Sequence, residues 1–223
     1  MAELVSVNVG APRSLRVGGR EVRTGIFKEP CTTRVAVNAL GLAGDHVLNE
    51  SVHGGPDQAV YVYRTEAYDW WRQELSGLWD DLETRPVHAG GFGENLTVSG
   101  LPDESELAVG DRLEVGTVVL EITAPRIPCN VFATKMSDKK FPQRFMEAGR
   151  CGFYCRVIET GELQVGDAVT LERHQGERLP IRRFFVEYHR PMDAATLREY
   201  LAQPIDRRSR AFFEDLLAKM PTR

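Results

Sequence analysis

The stretch RLEVGTVVLEITAPRIPC (residues 112–129) carries a fold signal and a chemical signal together. Residues 112–115 and 117–123 read as strands, and Gly116 between them marks a tight hairpin. Pro125 and Pro128 then fix φ and remove two backbone donors, so the segment beyond residue 123 is read as neither helix interior nor central strand. The chain leaves a sheet, is stiffened, and presents the Cys129 thiol beside the Arg126 guanidinium. A cation near sulfur favours the thiolate, the form that ligates metals and attacks electrophiles. A lone cysteine is more often a small buried hydrophobe. The two prolines and Arg126 are what bring a functional reading level with that one.

Outward from this segment, the first part of the chain is β-rich. Residues 4–9, 33–37, 59–63, 95–98, 153–158 and 168–172 have strand character, and glycines and prolines punctuate them at short intervals, which predicts a barrel or folded sheet. Helices are expected at 65–75 with Thr65 as N-cap, at 130–136 and at 141–148. Beyond about residue 175 the pattern turns helical. Pro180 suits a first helical position, Asp193 caps 194–201, Pro204 stops that helix, and Asp206 caps 207–219, where Phe212, Phe213, Leu216, Leu217 and Met220 form one apolar face. The fold class is mainly β, a barrel-like domain with flanking helices, plus a small C-terminal three-helix bundle, α+β overall. The domain expectation is 1–175 for the barrel and 176–223 for the helical extension.

The chain has 223 residues, 42% hydrophobic and 27% charged, with a formal charge of −4. That is ordinary for a soluble globular protein and argues against a nucleic-acid binder. The sequence shows neither a membrane-length apolar run nor a signal pattern, so the expected location is cytoplasmic, with no membrane partner. Four cysteines are present; Cys31, Cys151 and Cys155 are read as buried, reduced thiols, and a structural zinc site is not expected.

Further constellations stand beside Cys129. In His53-Gly54-Gly55-Pro56-Asp57-Gln58-Ala59-Val60-Tyr61, two glycines let backbone approach a ligand and His53 can meet an anion or metal. A plain glycine turn is the stronger reading of that motif alone. In Gly90-Gly91-Phe92-Gly93-Glu94-Asn95-Leu96, Asn95 offers donor and acceptor to a heterocycle edge; the bland reading is a flexible turn with Glu94 solvated. Lys28, in Thr24-Gly25-Ile26-Phe27-Lys28, can reach an anion. Arg150 precedes a strand, and Arg156 is read as a structural ion-pair residue. Together these suggest a cationic, glycine-edged pocket with a thiolate.

The ordered set Thr24-Gly25-Ile26-Phe27-Lys28, Gly44-Asp45, His53-Gly54-Gly55, Gly93-Glu94-Asn95-Leu96, Pro125-Arg126-Ile127-Pro128-Cys129 and Gly166-Asp167 resembles the MOSC family, named for the C-terminal domain of molybdenum-cofactor sulfurase. It looks most like the stand-alone bacterial YiiM-like branch, linked with 6-hydroxylaminopurine resistance. The resemblance implies a molybdenum cofactor (Mo-molybdopterin), with Cys129 as the protein's metal ligand. It implies Lys28 near the cofactor phosphate, and Asn95 in the segment lining the pterin. His53, Gly54, Gly55 and Arg126 complete the cofactor-binding set, while Cys129, Arg126 and Lys28 form the catalytic one. His46 falls where relatives often carry a basic cofactor-contacting residue.

The implied reaction reduces a small N-hydroxylated substrate, with electrons from a separate reductase because the cysteine spacing of an iron–sulfur domain is missing. The competing function is a molybdenum-cofactor or sulfur carrier working through a Cys129 persulfide without turnover. A metal-free cysteine hydrolase is a third reading. The C-terminal helices are candidates for dimerisation or reductase docking.

Overall fold

The hairpin expected around Gly116 forms, and it becomes one side of a closed barrel. The structure is a computed structural model that describes residues 1–48 and 53–220. Its strands are β1 (Ala2–Val9), β2 (Arg13–Val17), β3 (Arg20–Thr24), β4 (Glu29–Pro30), β5 (Val35–Asn38), β6 (Gly41–Leu42), β7 (Val60–Arg64), β8 (Leu96–Ser99), β9 (Arg112–Val115), β10 (Val118–Pro125), β11 (Phe153–Glu159), β12 (Gly161–Leu163) and β13 (Ala168–Glu172). The helices are α1 (Thr65–Leu75), α2 (Asn130–Lys135), α3 (Phe141–Ala148), α4 (Ile181–Glu187), α5 (Ala194–Leu201) and α6 (Arg207–Ala218). No described helix is long and apolar enough to cross a membrane.

Neighbouring strands run β1-β8-β7-β11-β10-β9-β13, and β13 returns to β1 through Ala2 opposite Val169. Closure removes the free edges that an open sheet would expose. The β7–β8 pair is parallel and the other barrel pairs are antiparallel. A parallel pair needs a long crossover, and here α1 and the Gly90–Gly93 turn occupy it. The fold class is therefore the expected α+β barrel with flanking helices.

Several local expectations need correction. Strand β10 extends to Pro125, opposite Phe153 of β11. Its last partner on β9 is Arg112, opposite Glu121, so by Pro125 one flank has no strand and a missing N–H breaks no ladder there. Thr65 is the first helical residue of α1 rather than its cap; Arg64 holds the cap position with no side-chain hydrogen bond. Pro180 sits at the cap of α4 instead of inside it. Asp193 and Asp206 do cap α5 and α6, accepting from Thr196 N and from Arg208 N and Ser209 N. The β2–β3 hairpin was not expected, although Gly18 and Gly19 take φ of 57° and 83°, as a two-residue hairpin turn requires. Its strands carry four arginines and only Leu15, Val17 and Val22 as apolar residues, so the alternation was faint.

Glu94 is not solvated. It is fully buried, accepting from Tyr68 Oη at 2.9 Å, Gly90 N at 2.7 Å and Thr97 Oγ1 at 2.8 Å, so it braces the glycine turn from inside. Burial raises its pKa, and these donors oppose the rise. Phe92, in the same turn, is wholly buried among Tyr63, Tyr68, Trp71, Phe132, Phe141 and Phe145, with ring centroids 4.8–6.0 Å away. The C-terminal helices pack on the same apolar cluster: Phe185 meets Phe145 at 6.0 Å, and Ile181 N donates to Leu107 O at 2.9 Å. Of the apolar face expected on α6, Phe213 is buried while Phe212 stays exposed.

Phe92→Ala should therefore destabilise the fold by about 3–5 kcal/mol. Urea unfolding reads this as a lower midpoint at unchanged slope. A loss below about 1 kcal/mol would show that the ring cluster collapses around the gap.

Candidate functional site

One end of the barrel opens into a cavity of about 130 Å³. Its walls come from the end of β3, the loops after it, the start of β7, the turn before β8, and the segment that leaves β10. Lys28, His53, Gly54, Asn95, Arg126 and Cys129 all line it. These residues are far apart in sequence, and the closed barrel gathers them. Gly55 does not line this cavity; it faces a separate recess at the start of α6. Arg150 also stands elsewhere, with its guanidinium 4.6 Å from the Trp70 ring. Arg156 is the structural residue expected, bonded to Asp57 and Glu121 at 3.1 Å each.

Cys129 occupies the N-cap position of α2 and is half-buried at the cavity wall, not sunk in the core. Burial alone would raise its pKa. A hydrogen bond from His53, the Arg126 charge and the Phe132 N–H outweigh that and bring the thiol down to about 7. The other cysteines behave differently. Cys151 and Cys155 are fully buried, which pushes both thiols up, whereas Cys31 is only partly buried against the core, short of the full burial expected.

Arg126 is buried yet, among the described residues, has no ion pair and no side-chain hydrogen bond. Nη1 is sealed from solvent without an acceptor. Its neighbours are rings: Phe132 at 4.2 Å, Tyr61 at 5.1 Å and Phe145 at 6.0 Å. Each ring offsets about 0.5–2 kcal/mol, while a desolvated charge costs several kcal/mol. A protein rarely leaves such a cation without an anion, and this one faces the cavity.

The second cation is handled differently. Lys28 forms a short, buried ion pair with Asp45 Oδ1. Burial lowers its pKa and Asp45 opposes that shift. Asp45 is a hub: Oδ1 also accepts from Gly10 N at 2.7 Å, and Oδ2 accepts from Asn95 Nδ2 at 2.8 Å. Asn95 Oδ1 accepts from Tyr61 N at 3.1 Å. The Asn95 amide, expected to read a heterocycle, is thus engaged by the protein and positions Asp45.

Gly25 fits this crowding because a Cβ there would lie 2.0 Å from His46 O. His46 itself lines the cavity and is exposed. Sequence reasoning missed Gln58 and Tyr61 as wall residues, although both lie within the His53 motif. It also missed Lys135, whose Nζ donates to Ile26 O at 2.8 Å and Gly90 O at 3.3 Å and ties α2 to two rim loops.

The profile of the MOSC domain matches residues 49–170. The chain belongs to the MOSC domain family. MOSC domains are a molybdenum-cofactor-binding family. The chain is 36% identical over 163 residues to the uncharacterized protein YflK of Bacillus subtilis (strain 168), covering 73% of this chain and 70% of that one. It is 29% identical over 154 residues to protein YiiM of Escherichia coli (strain K12), covering 69% and 66%. The crystal structure of YiiM from Geobacillus stearothermophilus superposes with a TM-score of 0.77 at 28% identity, covering 97% of this chain and 100% of that one. The expected YiiM-like MOSC assignment therefore stands.

Alkylation of Cys129 in metal-free protein should rise with pH through a midpoint of about 7. His53→Ala removes a thiolate-stabilising contact, so the midpoint should move upward. An unperturbed midpoint near 8.5 in the unsubstituted protein would contradict the electrostatics described.

Proposed function

We propose that this MOSC protein is a molybdenum-cofactor-dependent reductase of N-hydroxylated compounds such as 6-hydroxylaminopurine, a role that would detoxify base analogues. The single observation that supports this best is a buried guanidinium, without an acid partner among the described residues, sharing a cavity with a thiol lowered to about 7. The residues fit the group. A soft thiolate suits molybdenum, and the uncompensated cation suits an anionic pterin phosphate or dithiolene.

In this reading Cys129 is the metal ligand. Arg126 holds negative charge in the cavity, and Lys28, steadied by Asp45, lends a second cation to its lining. When bound, the cofactor supplies the two-electron chemistry that converts an N–OH group and two protons into an amine and water. The chain orients and shields. Tyr61 and Tyr154 give flat walls for a planar base, and Val22, Ile26 and Val131 limit water. The hydrogen bond from His53 helps to lower the Cys129 thiol to about 7, and its ring lines the cavity.

A separate electron-donating reductase is the partner this reading requires. Among the described residues no cluster of three or more cysteine, histidine or acidic side chains is arranged to hold a further metal. A relative in Gibberella moniliformis carries the name Reductase and is 31% identical over 169 residues, 75% of this chain but 29% of its own. That name supports a redox role.

Protein made in a host that synthesises the cofactor should carry molybdenum and reduce 6-hydroxylaminopurine with reduced methyl viologen as donor. Cys129→Ser should stay folded and lose roughly 100-fold or more of that activity, together with its molybdenum. Full turnover by the serine variant would reject the ligand assignment. Wild-type protein that shows no turnover but carries a persulfide on Cys129 would establish the carrier role instead.

A further inference from the structure

The β2–β3 hairpin stands outside the barrel sheet and has two unlike faces. Its register sets Leu15, Val17, Val22 and Thr24 on one side, and Ser14, Arg16, Glu21 and Arg23 on the other. The first side is half-buried, and β2 packs against α2. β3 is also cavity wall, through Val22, Arg23 and Thr24. The second side is exposed along its whole length, as is Arg20 beside the Gly18–Gly19 tip.

Positive charge collects on this ribbon. Four arginines stand against one glutamate over residues 13–24, in a chain of formal charge −4. Arg13 has its acid, Glu29, at 2.8 Å. Arg16, Arg20 and Arg23 have neither an ion pair nor a side-chain hydrogen bond among the described residues. Neither packing nor pairing within the fold uses these three side chains. Exposed charges of this kind steer encounter and select partners by sign. Three cations on an acidic chain are too few for a nucleic-acid surface, which needs a strong basic excess. They fit an acidic protein, and the proposed reaction calls for one that brings electrons.

We propose that the outer face and tip of this ribbon, Arg16, Arg20 and Arg23, dock an acidic one-electron carrier protein that feeds the cavity. The inference rests on the reductase reading above and gives its donor a seat. Two reduced carriers are each oxidised by one electron, and with two protons these electrons turn an N–OH group into an amine and water. A carrier on the outer face is separated from the cavity by one strand layer, about 10 Å.

Two acidic carriers serve as probes, a bacterial flavodoxin and a plant-type [2Fe–2S] ferredoxin. Calorimetry measures their binding to the purified full chain, whether or not it holds molybdenum. At least one should bind at low salt. Arg16→Glu combined with Arg20→Glu should weaken that binding roughly tenfold or more, and salt at about 0.3 M should weaken the wild type comparably. Both side chains are exposed and unbonded, so the variant should fold. Arg190→Glu combined with Arg198→Glu is the control: these arginines are exposed on the C-terminal extension, and binding should change less than about twofold. In the loaded enzyme the ribbon variant should lose carrier-driven turnover and keep turnover driven by reduced methyl viologen, a small donor that needs no docking face.

Failure of both carriers to bind, unchanged binding by the ribbon variant, or an equal loss in the control pair would each overturn the proposal. So would a short single-stranded oligonucleotide that binds the ribbon more tightly than either carrier. A chain that binds a carrier through the ribbon but never holds molybdenum would defeat the reductase reading and leave the docking surface standing.

Discussion

The structure turns on a buried guanidinium that, among the described residues, has no acid bonded to it. Arg126 leaves the end of β10 and lies among aromatic rings, with Nη1 sealed and unbonded. Other buried charges are bonded: Lys28 pairs with Asp45, Asp111 with Arg173 and Arg178, and Glu94 accepts from Tyr68, Gly90 and Thr97. Aromatic stacking is too weak to offset a desolvated cation in full. Among the described residues no anion bonds Arg126, and the cavity that it lines is open to one.

The rest of the architecture holds this arrangement in place. Barrel closure fixes the exit of β10, and Pro125 and Pro128 stiffen the six residues that lead to Cys129 and α2. The aromatic cluster around Phe92 packs under α2 and α3. Thr123 Oγ1 donates to Asp57 O at 2.5 Å, which joins β10 to the loop that Arg208 of α6 bonds at Gly54 O. Sulfur, imidazole and guanidinium thus rest on one connected frame.

Much of this was legible in the sequence, for identifiable reasons. Strand Arg112–Val115 and most of Val118–Pro125 could be read from their flanking glycine turn, and α5 and α6 announce themselves by their aspartate caps. The proline-bracketed Arg126–Cys129 segment could be singled out because few folds tolerate that composition in regular structure. The long-range partners were hidden. Nothing local distinguishes a lysine that meets Asp45 from one that waits for phosphate, or an asparagine bonded to that aspartate from one that reads a ring. Glu94 looked solvated because its three donors come from the far side of a turn, from α1 and from β8. Arg208 was invisible for the same reason: its partners lie some 150 residues away.

Molybdenum and pterin, assayed together on freshly purified protein from a cofactor-competent host, test the central claim most directly when wild type is set beside Arg126→Met. Methionine keeps the apolar packing against the rings and removes the charge. Wild type should hold both components near stoichiometry, and the methionine variant, folded to the same thermal midpoint or higher, should hold little of either. Retention of both by Arg126→Met would contradict the claim that this buried cation exists to meet the cofactor.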